Sequence, residues 1–184
     1  MRVTISSSSN DNIAEEYKNL SRELCEYLAK DGCDLNWGSG CNSIMGICYQ
    51  EFDKYNRKMY GYTNEKYVDE LKDLPNADHS IYKDTFDLKK NIFNDADFIV
   101  CLPGGTGTVS EFFAYIEEAR SNDAYKEIII YNINHHFDKM LDLIDDLVER
   151  KFNSDSIYNY LKVANTFDEF VSIYESIKNN SWYF

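Results

Sequence analysis

The sequence predicts an α/β fold: a Rossmann-like, three-layer α/β/α domain with a mostly parallel, doubly wound sheet. Three observations carry this. Short apolar runs alternate with stretches whose apolar residues recur at three- and four-residue steps, and no linker, repeat or low-complexity tract interrupts them. The clearest run, Phe98-Ile99-Val100-Cys101-Leu102, is apolar throughout, as expected for a strand covered on both faces. Six of the eight glycines fall into two clusters, each directly after such a run. Strand–helix units at this spacing imply βαβ crossovers, and ligands of such sheets bind at the carboxyl ends of the strands.

In chain order, Val3 to Ser6 reads as the first strand. A helix follows from about Asn12 to Lys30, with Ala14, Tyr17, Leu20, Leu24 and Leu28 on one face and Gly32 where a C-cap glycine belongs. Leu35-Asn36-Trp37 is a short second strand leading into the first glycine cluster, and a helix begins near Ser43. Met59 to Tyr62 reads as a strand, Asn64 to Asn76 shows no period, and Ile81-Tyr82-Lys83 reads as a fourth strand before a helix from Thr85 to Asn94. After Phe98–Leu102 come a helix from Gly107 to Arg120, a buried strand Ile128–Tyr131 and a helix from Phe137 to Arg150. A strand Tyr160–Ala164 and a helix Thr166–Lys178 close the chain.

The 184 residues suit one domain, residues 1–184, and 43% apolar content with 15 Tyr and 11 Phe supplies a sizeable core. A net charge of −13 repels nucleic-acid backbones and anionic membrane surfaces, so neither is expected as a partner. A small anion needs only a local electropositive pocket. The apolar runs are far shorter than a bilayer span, and the first residues carry no apolar signal core, so the expectation is a cytoplasmic protein. Five cysteines form no C-x-x-C pair and the three histidines stand in no metal spacing, so reduced thiols, loop histidines and no metal or cofactor are expected.

The chemistry concentrates in Pro103-Gly104-Gly105-Thr106-Gly107-Thr108-Val109-Ser110-Glu111. A buried strand ends, the chain turns on glycines and a helix starts with threonine. The helix start offers unpaired N–H groups and partial positive charge, and the glycines let phosphate oxygens come close. Gly104, Gly105, Thr106, Gly107 and Thr108 are therefore candidate phosphate ligands. This is neither a Walker A loop nor the dinucleotide G-x-G-x-x-G. Two readings of Glu111 stand: the partner of Thr108 in a capping box, or a carboxylate one helical turn from a bound phosphate, facing a ribose C1′ or a water. The first cluster, Gly38-Ser39-Gly40-Cys41-Asn42-Ser43-Ile44-Met45-Gly46, is by itself equally a tight turn. Read with the second, it places Gly38, Gly40 and Met45 at the same edge, where two loops can hold the two ends of a nucleotide. Ser6 to Ser9, including the candidates Ser8 and Ser9, makes a third loop there.

These residues resemble the LOG ("lonely guy") phosphoribohydrolases, often mislabelled lysine decarboxylases. Pro103 to Glu111 carries every fixed position of that family's P-G-G-x-G-T-x-x-E signature. Gly38 to Gly46 stands for the family's G-G-G-x-x-G-L-M-G, with serine replacing two glycines at Ser39 and Ser43. The resemblance covers nearly the whole chain. It implies a dimeric Rossmann-like enzyme that cuts the N-glycosidic bond of nucleoside 5′-monophosphates, cytokinin nucleotides or AMP, releasing free base and ribose 5-phosphate. It makes Glu111 catalytic and the glycine loops phosphate and ribose ligands. The family pairs the glutamate with an arginine that counts back here to Leu88, followed by Lys89 and Lys90, either of which can supply a cation. Lysine lacks arginine's planar two-pronged grip. Asp87 reads as a surface acid or a second carboxylate of the site, and Ser110 replaces a second glutamate frequent in the family. A nucleotide-binding protein without hydrolysis, or the same chemistry on a pyrimidine or deoxy nucleotide, are the alternative readings.

Overall fold

Strands too apolar to face water on either side must pair in the interior of a sheet, and here Arg2–Ser6, Phe98–Cys101 and Ile128–Tyr131 do so. The computed structural model describes residues 1–121 and 125–180. Strands β1 (Arg2–Ser6), β2 (Asp34–Trp37), β3 (Met59–Asn64), β4 (Asp78–Tyr82), β5 (Phe98–Cys101), β6 (Ile128–Tyr131) and β7 (Leu161–Ala164) form one sheet in the order β4-β3-β2-β1-β5-β6-β7. Every pairing is parallel, with register such as Ile5 opposite Trp37 on one side and Val100 on the other. Helices α1 (Glu15–Lys30), α2 (Ser43–Lys54), α3 (Thr85–Asn94), α4 (Thr106–Ser121), α5 (Asp138–Glu149), α6 (Ile157–Tyr160) and α7 (Phe167–Asn180) fill the connections.

Two cores lie on opposite faces of the sheet. Leu24 and Leu28 of α1, Phe52 of α2 and Phe170 of α7 pack on Val3, Leu35 and Trp37. Ile92 of α3, Phe112 and Tyr115 of α4 and Ile144 of α5 pack on Ile99, Ile128 and Ile130. The alternation of strand residues between these clusters follows from the two-residue repeat of a pleated strand. This is the doubly wound α/β architecture expected. The chain runs outward from β1 to the β4 edge, then returns to β5 on the other side of β1. That reversal leaves a crevice between the loops after β1 and β5. No helix among the described residues is long and apolar enough to cross a membrane.

Several boundaries differ from the sequence reading. α1 starts at Glu15 rather than Asn12, because residues 11–13 turn toward α2, where the Asp11 carboxylate accepts from the Ser43 N–H at 2.8 Å. The fourth strand is Asp78–Tyr82, not Ile81–Lys83. It lies at the sheet edge with no buried residue, so its sequence carries no continuous apolar run. The stretch without a period holds a 3₁₀ helix, Glu65–Asp73, with no buried residue. The short α6 precedes β7, which starts at Leu161.

Candidate active site

Three loops meet at the crevice and are tied to one another by backbone hydrogen bonds. Leu102 N–H donates to the Ser6 carbonyl at 2.8 Å, Ser8 N–H to Pro103 at 3.1 Å, and Met45 N–H to Ser8 at 3.1 Å. They enclose a cavity of about 500 Å³. Ser8, Ser9, Gly38, Gly40 and Met45 line it, and so do Gly105, Thr106, Gly107, Thr108 and Glu111. Loops that follow β1, β2 and β5 thus converge, as the strand–loop–helix pattern implied.

The two helix starts at this edge are not equivalent. Helix α2 begins with its Ser43 amide already bonded to Asp11, whose carboxylate repels a further anion. Helix α4 begins at Thr106, and its first internal bond is Val109 N–H to the Gly105 carbonyl at 3.1 Å. The amides of Thr106, Gly107 and Thr108 therefore have no partner within the helix. A Cβ at Gly105 or Gly107 would meet nothing within 4 Å, so these glycines leave open space over those amides rather than relieving a clash. Of the two helix starts, that of α4 leaves its amides open toward the cavity. At Gly38 and Gly40 the constraint is packing: a Cβ would stand 2.7 Å from Met45 atoms. Their bareness lets Met45 lie over the loop.

Glu111 stands at the floor, half-buried on α4. Its Oε2 accepts from the Ser6 hydroxyl at the end of β1. The helix starts two residues before Thr108, which places Thr108 inside the first turn and rules out the capping box. Burial raises the Glu111 pKa above its ordinary value, while the Ser6 hydrogen bond and the nearby Lys89 charge work against that rise. Burial also pushes up the Tyr115 hydroxyl and the Cys101 thiol beside it, so both stay neutral.

A second cavity of about 290 Å³ adjoins the first. Four residues line both: Gly38, Met45, Tyr67 and Glu111. Glu111 is therefore at a neck between the two cavities. Leu88 and Lys89 of α3 line that second compartment, and Lys89 Nζ donates to the Ser110 hydroxyl at 2.6 Å. Lys90 is exposed and lines neither cavity, because successive helical residues are turned about 100° apart. Of the two candidate lysines only Lys89 reaches the site. Asp87 is exposed on the same helix.

Gly104 borders a smaller pocket of about 230 Å³ with Tyr17 and His136. A Cβ on Gly104 would collide with the Thr108 side chain. His136 Nε2 lies 2.9 Å from the Gly104 carbonyl oxygen, and its ring packs edge-on against Tyr17. The sequence reading left His136 in a plain loop, gave Ser6 a place in the third loop but no link to Glu111, and assigned no role to Tyr67. Ser6 ends a strand at the switch point, a signal that was readable. Tyr67 sits in the stretch without period and carried none.

The family described as "Possible lysine decarboxylase" matches residues 45–174. Among curated proteins, the "Probable cytokinin riboside 5'-monophosphate phosphoribohydrolase LOGL6" of Oryza sativa subsp. japonica is 24% identical over 166 residues, 90% of this chain and 66% of that protein. This chain thus spans just under two thirds of that relative's length. The "Cytokinin riboside 5'-monophosphate phosphoribohydrolase LOG3" of Arabidopsis thaliana is 24% identical over 171 residues, 92% of this chain and 80% of that protein. Among solved structures, the molybdenum cofactor carrier protein from Chlamydomonas reinhardtii superposes with a TM-score of 0.69 at 12% identity, covering 97% of this chain and 98% of that one. The molybdenum cofactor binding protein of Rippkaea orientalis gives 0.65 at 15% identity, covering 96% of each chain. At these identities the solved structures share the fold.

Proposed function

The chain belongs to the family described as possible lysine decarboxylase, and from that premise we propose that it is a phosphoribohydrolase acting on a nucleoside 5′-monophosphate. The observation that carries this is the placement of one carboxylate, Glu111, at the neck between the two cavities. The names of the relatives support the same reaction class.

The 5′-phosphate sits on the amides of Thr106, Gly107 and Thr108, with the hydroxyls of Ser8, Ser9, Thr106 and Thr108 as further donors. The ribose then extends to Glu111. As the C1′–N bond lengthens, positive charge develops on C1′ and the ring oxygen, and the Glu111 carboxylate stabilises it. Water adds at C1′, the base leaves with the bonding pair, and a proton from the water is returned to the base. Glu111 suits the proton transfer because burial raises its basicity toward neutral pH. Lys89, held on Ser110, supplies the positive charge that the family draws from arginine. Neither lysine decarboxylation nor a metal enters this scheme.

Purified protein incubated with AMP, IMP and UMP, with Glu111→Ala alongside, tests the reading by chromatography of free base. Base release that disappears in the variant supports it; unaltered release in the variant removes Glu111 from the mechanism. A second reading, nucleotide binding without hydrolysis, is favoured by the apolar Leu88 where the family has arginine. It predicts a nucleotide-dependent rise in melting temperature with no base released. The proposed state is a homodimer, tested by light scattering.

A further inference from the structure

The second compartment has a donor-biased polar inventory, and the hydrogen bonds around it show why. Tyr62 donates its hydroxyl to the Asp95 carboxylate. Thr63 donates to the Asn64 carbonyl at 3.4 Å. Asn64 is engaged on both ends, its amide donating to the Lys83 carbonyl at 3.1 Å and its oxygen accepting from the Lys66 N–H at 3.2 Å. Apart from Glu111, the other polar and aromatic residues that line the compartment are Lys66, Lys89, whose ammonium rests on Ser110, Thr85 and Tyr67. Ammonium groups donate and never accept. Glu111 is the compartment's only carboxylate lining among the described residues, and the Ser6 hydroxyl holds it at the neck.

Tyr67 adds a second, independent feature. It lines both cavities beside Glu111, yet its side chain is 55% exposed. It rides on a 3₁₀ helix of nine residues with nothing buried, far longer than the three or four that such helices usually reach. An exposed aromatic ring at that neck offers a face to a flat ligand.

We propose that this compartment takes the aglycone, stacked on Tyr67, and selects a heteroaromatic base that presents carbonyl or carboxylate acceptors to Lys66 and Lys89. Preferred substrates are then 5′-monophosphates of oxo-substituted bases, over those whose corresponding position carries an amino or alkylamino group. The inference rests on the hydrolase reading for its catalytic form, but binding alone also tests it.

IMP and AMP differ at the 6-position, oxo against amino, and make the cleanest pair. The expected result is a kcat/KM for IMP about tenfold above that for AMP, the size of one hydrogen bond to a charged donor. Lys66→Met removes this preference and Lys66→Arg keeps it. Lys66 is exposed, and an unchanged melting temperature confirms that the variants fold. Tyr67→Ala weakens both nucleotides, while Tyr67→Phe retains the stacking face. Ribose 5-phosphate binding, measured by calorimetry, stays unchanged in both Lys66 variants, since Lys66 lines only the second compartment. Equal or better turnover of AMP with no effect of Lys66→Met overturns the base preference and leaves the hydrolase standing. If neither base is released, the same comparison is made on dissociation constants. Failure of IMP to bind more tightly than AMP, or of either to bind, then overturns the inference separately from the reaction.

Discussion

Replacing Ser6 by alanine isolates the interaction that holds the central carboxylate. The Ser6 hydroxyl is buried and donates to Glu111 across 105 residues of sequence, so the bond is charge-assisted whenever Glu111 is ionised. Alanine is nearly isosteric and leaves no cavity worth counting. The loss is therefore that of one hydrogen bond to a charged group, about 1.5–3 kcal/mol. Once Glu111 is protonated the bond becomes neutral, and the loss shrinks to about 0.5–1.5 kcal/mol. Taking a urea slope of about 2 kcal/mol/M, the midpoint falls by about 1 M at pH 8 and by less than half as much at pH 4. Urea titrations followed by circular dichroism, on Ser6→Ala and parent at both pH values, measure this. Equal midpoint losses at the two pH values would refute the reasoning, since a packing contribution does not respond to the charge on Glu111. The acid limb of the kcat/KM profile also moves upward in the variant, because the group that opposed the rise of the Glu111 pKa is gone.

Three further substitutions follow from the same site. Glu111→Gln abolishes base release, a loss of about 10²-fold or more; it also raises stability at neutral pH. The folded-state pKa of Glu111 lies above its ordinary 4.5, so the stability linked to its protonated form is full below about pH 4.5 and lost as the pH rises through the folded value. Melting temperatures from pH 4 to 8 should show the gain of the variant growing with pH, and a constant gain would contradict it. Gly107→Ala meets nothing within 4 Å and lies inside α4, so it stabilises by about 0.5–1 kcal/mol while its methyl crowds the anion and raises KM; calorimetry with ribose 5-phosphate checks the second half. Gly46→Ala brings a Cβ within 2.8 Å of the Cys41 carbonyl carbon, and a backbone shift of that kind costs about 1–3 kcal/mol, readable as an earlier urea midpoint.

Much of this protein was legible in its sequence because the signals were local. The run Phe98–Leu102 needs two covered faces, the period Ala14, Tyr17, Leu20, Leu24, Leu28 gives a covering helix, and glycines after strands mark the binding edge of a parallel sheet. The expectation of a phosphate cradle at residues 104–108 follows from the same logic, since a helix start supplies its donors from the backbone alone. Edge strand β4 was misplaced because it buries no residue, so only its last two residues, Ile81 and Tyr82, give an apolar signal. The segment Glu65–Asp73 was unreadable because it buries nothing, leaving no period for a core to impose.

Only the tertiary structure decided which groups face one another. The sequence placed Thr108 and Glu111 at capping-box spacing; the start of α4 at Thr106, and a serine 105 residues away, turned Glu111 into a floor group instead. Two adjacent lysines were equivalent on paper, and the rotation of α3 gave Lys89 to the site and Lys90 to solvent. Two glycine loops looked alike until Asp11 occupied the start of α2 and left α4 open to an anion. Periodicity and glycine placement are properties of a few consecutive residues, so the chain itself fixes them. Pairings across the crevice depend on how the sheet reverses at β1 and β5, and that exists only once the whole sheet has formed.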